Sequence, residues 1–296
     1  MALRALYDVA APAKLNLFLH VIGRRPDGYH LLQSVFMLID WCDTLHFELR
    51  ADGRIVRHDL GAPLPPDDLC VRAAKALAGA GATSLGADIS IEKRVPSGAG
   101  MGGGSSDAAS TLLALNRLWE LNWSRERLAA LALGLGADVP FFVGGENAIV
   151  EGIGERLTPL ELPPQWLAVV KPAAGIGTRT VFESPLLGRS AAADIVEGFT
   201  GDGSAGSDAR YSDVWSYGRN DLQAAAEAAC AEVGQADAML RKVFGNARMT
   251  GSGSALFARA GAAEEPVAGM PAGLPEGWTG RMCRSLSVHP LHGWAG

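Results

Sequence analysis

Pro96-Ser97-Gly98-Ala99-Gly100-Met101-Gly102-Gly103-Gly104-Ser105-Ser106-Asp107 is the stretch on which the reading of this chain turns. Glycine has no Cβ and reaches positive φ at little cost, so this density of glycine lets a backbone wrap closely around an anion. Residues from Ser105 to about Trp119 follow with helical spacing. A helix starting there offers unpaired N–H groups and the positive end of its dipole to the same anion. Ser105 and Ser106 add hydroxyls suited to a phosphate or a Mg²⁺ ion. The stretch therefore reads as a phosphate cradle, with Pro96 and Ser97 leading into it and Lys93 just upstream as a cationic nucleotide ligand. The plain alternative is a flexible connector with Ser105 as an N-cap.

Two nucleotide folds fail against this loop. No Lys-Ser or Lys-Thr follows the last glycine, so it is not a Walker A loop. Gly98, Gly100 and Gly103 satisfy GxGxxG, but the preceding strand (87–95) alternates, and the position about 20 residues on is Glu120 at a helix end. A dehydrogenase is a poor fit.

Outward from the loop, Lys14–His20 alternates apolar and polar, the pattern of a half-buried strand. Residues 31–40 and 43–50 read as two further strands, and 69–80 and 125–136 as helices. Residues 150–160 change texture, with glycines and prolines that suit a passage between domains. Residues 166–172 are a buried strand. Residues 188–212 read as loop with a short helix near Ala192–Phe199, and 220–233 as one helix capped by Asn220. Strands and helices lack the βαβα rhythm of a doubly wound sheet, so an α+β architecture fits.

The 296 residues allow one or two domains, and 48% hydrophobic with 20% charged residues is ordinary globular composition. A net charge of −6 argues against a general nucleic-acid binder. Cys42, Cys70, Cys230 and Cys283 lack CxxC spacing, which points away from a zinc site and toward a reducing, cytoplasmic setting. Asp8 and Lys14 interrupt any signal-like apolar run, and no stretch approaches the ~18 apolar residues of a membrane span. No membrane or nucleic-acid partner is expected. His289 and His292 read as surface residues of a Pro-containing tail.

Three stretches, in order and spacing, resemble the motifs of the galactokinase–homoserine–mevalonate–phosphomevalonate (GHMP) kinase superfamily: Pro12-Ala13-Lys14-Leu15-Asn16-Leu17, the glycine loop, and Thr250-Gly251-Ser252-Gly253-Ser254-Ala255. Arg24–His30 and Leu135–Pro140 are similar, within it, to the branch of 4-diphosphocytidyl-2-C-methyl-D-erythritol kinases. The resemblance implies an ATP-binding N-terminal domain (1–158) of the ribosomal protein S5 domain 2-like type. It also implies a ferredoxin-like C-terminal domain (159–296) that contributes to the substrate cleft. Implied too is transfer of the γ-phosphoryl of ATP, as Mg-ATP, to a hydroxyl of a cytidine-diphosphate alcohol in non-mevalonate isoprenoid synthesis.

On that resemblance Asp138 is the general base and Lys14 its partner, since an adjacent ammonium favours the ionised carboxylate. Asn16, two residues beyond Lys14 on the same strand face, becomes a substrate ligand. Tyr29 stacks on the cytosine with Phe182 on its other side, His30 hydrogen-bonds the base, and Thr178 helps hold the substrate. ATP falls to Lys93, Pro96, Ser97, Gly98, Ala99, Gly100, Met101, Gly102, Gly103, Gly104, Ser105 and Ser106. The Thr250–Ser254 loop either closes on the phosphates or braces the first loop. One departure is visible: Asp68 stands where the family has Asn before the helix at 69. Two rival readings are a sister kinase acting on homoserine, mevalonate or a sugar, and a non-catalytic nucleotide-binding module. The presence of both Lys14 and Asp138 speaks against the second.

Overall fold

Two long antiparallel strands, β1 (Ala5–Arg24) and β2 (His30–Arg50), form the spine of the structure. The turn joining them uses Gly28 at φ +93, a value that favours glycine. The computed structural model describes residues 3–190, 215 and 217–295. The expected break between residues 40 and 43 is absent: β2 runs through it, paired with β1 on one side and with successive partners on the other. Those partners are β4 (Gly86–Glu92), β5 (Ala148–Gly152) and β10 (Thr279–Leu286). The remaining strands are β3 (Ile55–Asp59), β6 (Arg156–Pro159), β7 (Trp166–Lys171), β8 (Arg248–Met249) and β9 (Leu256–Gly261). They complete a ten-stranded sheet whose main path is β3-β4-β2-β10-β7-β9-β8.

Helices α1 (Leu69–Gly81), α2 (Gly103–Leu118), α3 (Arg125–Leu133) and α4 (Val139–Gly144) pack on the amino-terminal strands. Helix α2 is almost wholly buried, with Leu112, Leu113 and Leu115 in the core. A second core lies between the strands, through Leu15, Leu17, Met37, Ile39, Leu167 and Val169. A third joins β7 and β9 to α5 (Thr178–Phe182), α6 (Gln223–Ala229) and α7 (Ala231–Phe244).

Three expectations need correction. The polar positions of β1 do not face solvent: Lys14, Asn16 and His20 are all under 7% exposed. The segment around residue 220 and the 250 loop cover them, so alternation here marks a buried polar face. The helix expected over 220–233 is two helices, broken at Cys230, whose φ of −150 and ψ of 105 are extended. The alanine-rich sequence carries no local break signal. Packing imposes it, because Leu222, Ala225 and Ala226 of one piece and Val233, Ala236 and Leu240 of the next must all reach one core. His289 is buried, at 1% exposure, not a surface residue. Its Nδ1 accepts from the Leu291 N–H at 3.0 Å, and burial pushes its ring down to about 3. The short helix expected near Ala192–Phe199 lies outside the described residues.

Candidate active site

The glycine loop wraps through three left-handed positions, Gly98 (φ +61), Gly100 (φ +71) and Gly102 (φ +72). Gly102 is the N-cap of α2 and supplies no side chain, so the helix's first amides face the loop without a capping oxygen. The second glycine stretch braces the first. Ser254 N–H and Ala255 N–H donate to the Gly98 and Ala99 carbonyls at 3.2 Å each, and Gly251 would meet the Gly100 carbonyl 2.7 Å from any Cβ. The Met101 carbonyl accepts from Lys14 N–H at 2.9 Å, which ties the loop to β1.

Three linked hollows run along this face. The first, about 770 Å³, is lined by residues 93–104, Asp107 and the Ala62–Pro65 turn with Asp68. The last, about 800 Å³, holds Tyr29, His30, Thr178 and Phe182. Each is large enough for a nucleotide-sized ligand, since such sites run from ~300 to ~1,000 Å³. Between them a smaller chamber of about 240 Å³ contains Lys14, Asn16, Ser34 and Asp138. Gly100 and Gly102 border both the first and the middle chambers, while Leu32, Ile153, Thr178 and Phe182 border the middle and the last. Ser105 and Ser106 do not line the first chamber, and Ser106 is completely buried.

In the middle chamber, Lys14 Nζ lies 3.5 Å from Asp138 Oδ2, donates to Asn16 Oδ1 at 2.6 Å, and sits 4.2 Å from the centroid of the Phe36 ring. Asn16 donates in turn to Ser34 Oγ at 3.0 Å, and its own N–H is held by Thr250 Oγ1 at 2.9 Å. Asp138 is the N-cap residue of α4 but makes no capping hydrogen bond, so its partly exposed carboxylate is left for the chamber. Burial pulls Lys14 below the ordinary lysine range, partly opposed by the charge of Asp138. Ionised Lys14 is therefore lost at a lower pH than an exposed lysine. The alkaline limb of the kcat/KM profile is expected below pH 10.5, and Lys14→Arg should move it up or abolish it. A limb unchanged in that variant would assign it to another group.

In the outer chamber the His30 and Phe182 rings stack on each other, centroids 5.0 Å apart and 22° between planes. Tyr29 stands 61% exposed at the rim. The expected arrangement had a base between Tyr29 and Phe182; here each of His30 and Phe182 covers a face of the other. Thr178 Oγ1 is 2.9 Å from Ser252 Oγ, which joins α5 to the second glycine stretch.

Lys93 lines the first chamber, but its ammonium bridges Asp43 Oδ2 and Asp107 Oδ2. Asp43 Oδ1 also accepts from the Arg94 and Val95 N–H groups at 2.5 and 2.7 Å. These buried carboxylates pin both ends of the loop, and nothing in the sequence reading assigned them a role. Two carboxylates share one ammonium, and burial pushes the Asp107 carboxyl up to about 8 against the pull of Lys93. With the folded value above the unfolded one, the unfolded chain loses its proton first as pH rises from ~4. Stability from this group therefore falls between ~4 and about 8. Thermal melts across that window should show wild type losing ground to Asp107→Asn as pH increases. Parallel curves would refute the assignment.

Asp68 also lines the first chamber, and its carboxylate is occupied: Oδ1 accepts from Val71 N–H at 3.1 Å as the N-cap of α1 and pairs with Arg57 at 2.8 Å. Asn220, expected as a helix cap, accepts from Leu222 N–H through Oδ1 at 2.9 Å just ahead of α6, and also donates from Nδ2 to the Met249 and Gly251 carbonyls, both at 2.8 Å. Its buried amide holds the second glycine stretch. Among the described residues no group of three or more His, Cys, Asp or Glu side chains could hold a metal ion, and no helix is long and apolar enough to cross a membrane.

Comparison with known proteins gives the family. Residues 68–146 match the family described as the GHMP kinases N terminal domain. The 4-diphosphocytidyl-2-C-methyl-D-erythritol kinase of Methylibium petroleiphilum is 64% identical over the whole of both chains. That of Albidiferax ferrireducens is 55% identical over 99% of this chain and 96% of its own. A crystal structure of 4-(cytidine 5'-diphospho)-2C-methyl-D-erythritol kinase superposes with a TM-score of 0.69 at 35% identity, covering 85% of this chain and 89% of that one. A homoserine kinase from Cytophaga hutchinsonii shares the fold, with a TM-score of 0.69 at 14% identity over 96% and 95% of the two chains. The chain thus belongs to the 4-diphosphocytidyl-2-C-methyl-D-erythritol kinase family of GHMP kinases, and is an ATP-dependent small-molecule kinase.

Proposed function

We propose that the chain phosphorylates the 2-hydroxyl of 4-diphosphocytidyl-2-C-methyl-D-erythritol from ATP, in the synthesis of isoprenoid precursors by the non-mevalonate route. The observation that carries this reading is the Lys14–Asp138 pair in a small chamber between two nucleotide-sized ones. Residues 1–158 would hold ATP, and 159–296 would complete the substrate cleft through Thr178 and Phe182. The hydroxyl oxygen attacks the γ-phosphorus, its proton passes to Asp138, and the bond to the β-phosphate oxygen breaks to release ADP. Lys14 offsets charge on the reacting oxygens while Asn16 orients the alcohol. Such a transfer needs positioning and neutralisation more than covalent chemistry.

The amides of the loop and of the first turn of α2 grip the phosphates, and Lys93 adds positive charge while bracing the loop. Asp107 lines the first chamber, and its Oδ1 is buried without a hydrogen-bond partner among the described residues, which would suit a Mg²⁺ ion carried on the triphosphate. When bound, the ion supplies charge neutralisation there. Tyr29, His30 and Phe182 would receive the cytosine, the stacked rings parting to admit it.

The test is ³¹P NMR of the protein with Mg-ATP and the cytidine-diphosphate alcohol. A new phosphomonoester resonance growing with ADP is expected. Turnover only with homoserine, mevalonate or a sugar would assign the chain to a sister activity instead.

A further inference from the structure

Away from the cleft, a hollow of about 270 Å³ opens between β1, β8 and β9, and none of its lining residues borders the three chambers. We propose that this hollow, lined by Leu17, Trp215, Asn246, Arg248, Phe257 and Arg259, is a second binding site, taking a small organic anion with one carboxylate or phosphate head and an apolar body.

Neither Arg248 nor Arg259 has a carboxylate within ion-pair distance among the described residues. Arg248 spends its Nη groups on the Leu17 and Gly218 carbonyls, the latter at 2.9 Å. Burial pulls it down to about 10, with the nearby Arg241 adding to the effect. A partly buried guanidinium with only neutral partners carries a desolvation cost that a bound anion would offset. Arg259 gives its Nε–H to Gln165 Oε1 at 2.8 Å and keeps both Nη groups without a protein partner among the described residues. Those paired donors suit the two oxygens of a carboxylate or phosphate. A purely buttressing role explains Arg248 but leaves this fork unused.

The rest of the lining sets the body of the ligand. Arg259 lies over the Trp215 ring, 5.4 Å from its centroid, and Leu17, Ala247 and Phe257 supply apolar wall. The hollow has about a third of the volume of either nucleotide-sized chamber, which suits a small ligand. The site is also wired to the reaction chamber, because Arg248 holds the Leu17 carbonyl one residue beyond Asn16 and directly precedes Met249-Thr250, whose hydroxyl holds the Asn16 N–H.

Phenyl phosphate, benzoate and inorganic phosphate would be titrated into ¹⁵N-labelled protein whose glycine loop is saturated with a non-hydrolysable ATP analogue. The chain has seven tryptophans, and W215F identifies the Trp215 indole cross-peak. A saturable shift of that peak with phenyl phosphate or benzoate is expected, weakened at least ~10-fold in R259Q, the scale of one lost charge-assisted pair. N246D, which sets a carboxylate in the lining of the hollow, should weaken it similarly. Both variants are first checked for an unchanged melting curve, and if one fails to fold the other decides. No shift, a shift retained in the folded variant, displacement by the substrate alcohol, or equal binding of inorganic phosphate would overturn the proposal.

Discussion

Asp138→Asn is expected to lower kcat by ~10²–10⁴-fold, the usual contribution of a positioned general base, with little change in stability or in KM for ATP. The side chain keeps its size but can no longer take the proton of the attacking hydroxyl. Stability should hold because Asp138 makes no capping hydrogen bond to α4, so the helix loses nothing. Only the 3.5 Å approach to Lys14 is sacrificed. Lys14→Met offers the complementary measurement. Lys14 is buried against Phe36, and removing its charge removes a desolvation cost that offsets the lost hydrogen bond to Asn16, so that variant should stay folded while losing activity. Kinetics and melting curves on both variants separate chemistry from folding. If Asp138→Asn turns over at the wild-type rate while remaining folded, Asp138 is not the base.

The cradle was legible from glycine spacing because its physics is local: the φ values and the helix start are properties of the segment itself. Lys14 and Asn16 were legible only as alternate positions of a half-buried strand, whereas both faces of β1 are buried there. What buries them is Thr250, more than two hundred residues away, and no pattern within β1 reports it. Asp43 and Asp107 were missed for the same reason. Each is a lone acid in its own segment, and their sharing of Lys93 exists only once β2, β4 and α2 meet. Cys230 shows the converse, a sequence with strong helix propensity overruled by packing on both sides. Local rules thus located the glycine loop and the helix that follows it, while the acid–amine pair depended on motif resemblance, because its members approach through tertiary contacts alone.

Gly100→Ala and Gly98→Ala make a matched pair whose outcomes should differ sharply. Both glycines sit at similar positive φ, +71 and +61, so both alanines carry the left-handed penalty of ~1–2 kcal/mol. At Gly98 a Cβ meets nothing within 4 Å. That variant should bind ATP less than ~30-fold more weakly, from the dihedral cost alone. At Gly100 a Cβ would overlap the Thr250 carbonyl oxygen and stand 3.1 Å from the Gly253 nitrogen, both backbone atoms. Neither can rotate away, so the two glycine stretches must separate. With them go the Thr250 hydroxyl that holds Asn16 and the hydrogen bonds from Ser254 and Ala255 that hold the loop. Gly100→Ala should therefore lose at least ~10²-fold more kcat/KM for ATP than Gly98→Ala, or about 3 kcal/mol at 1.36 kcal/mol per decade, and melt at a lower temperature. Steady-state kinetics on the two proteins decides it. Equal losses would mean that the phosphate loop acts independently of the 250 stretch, and the brace between them would have no functional weight.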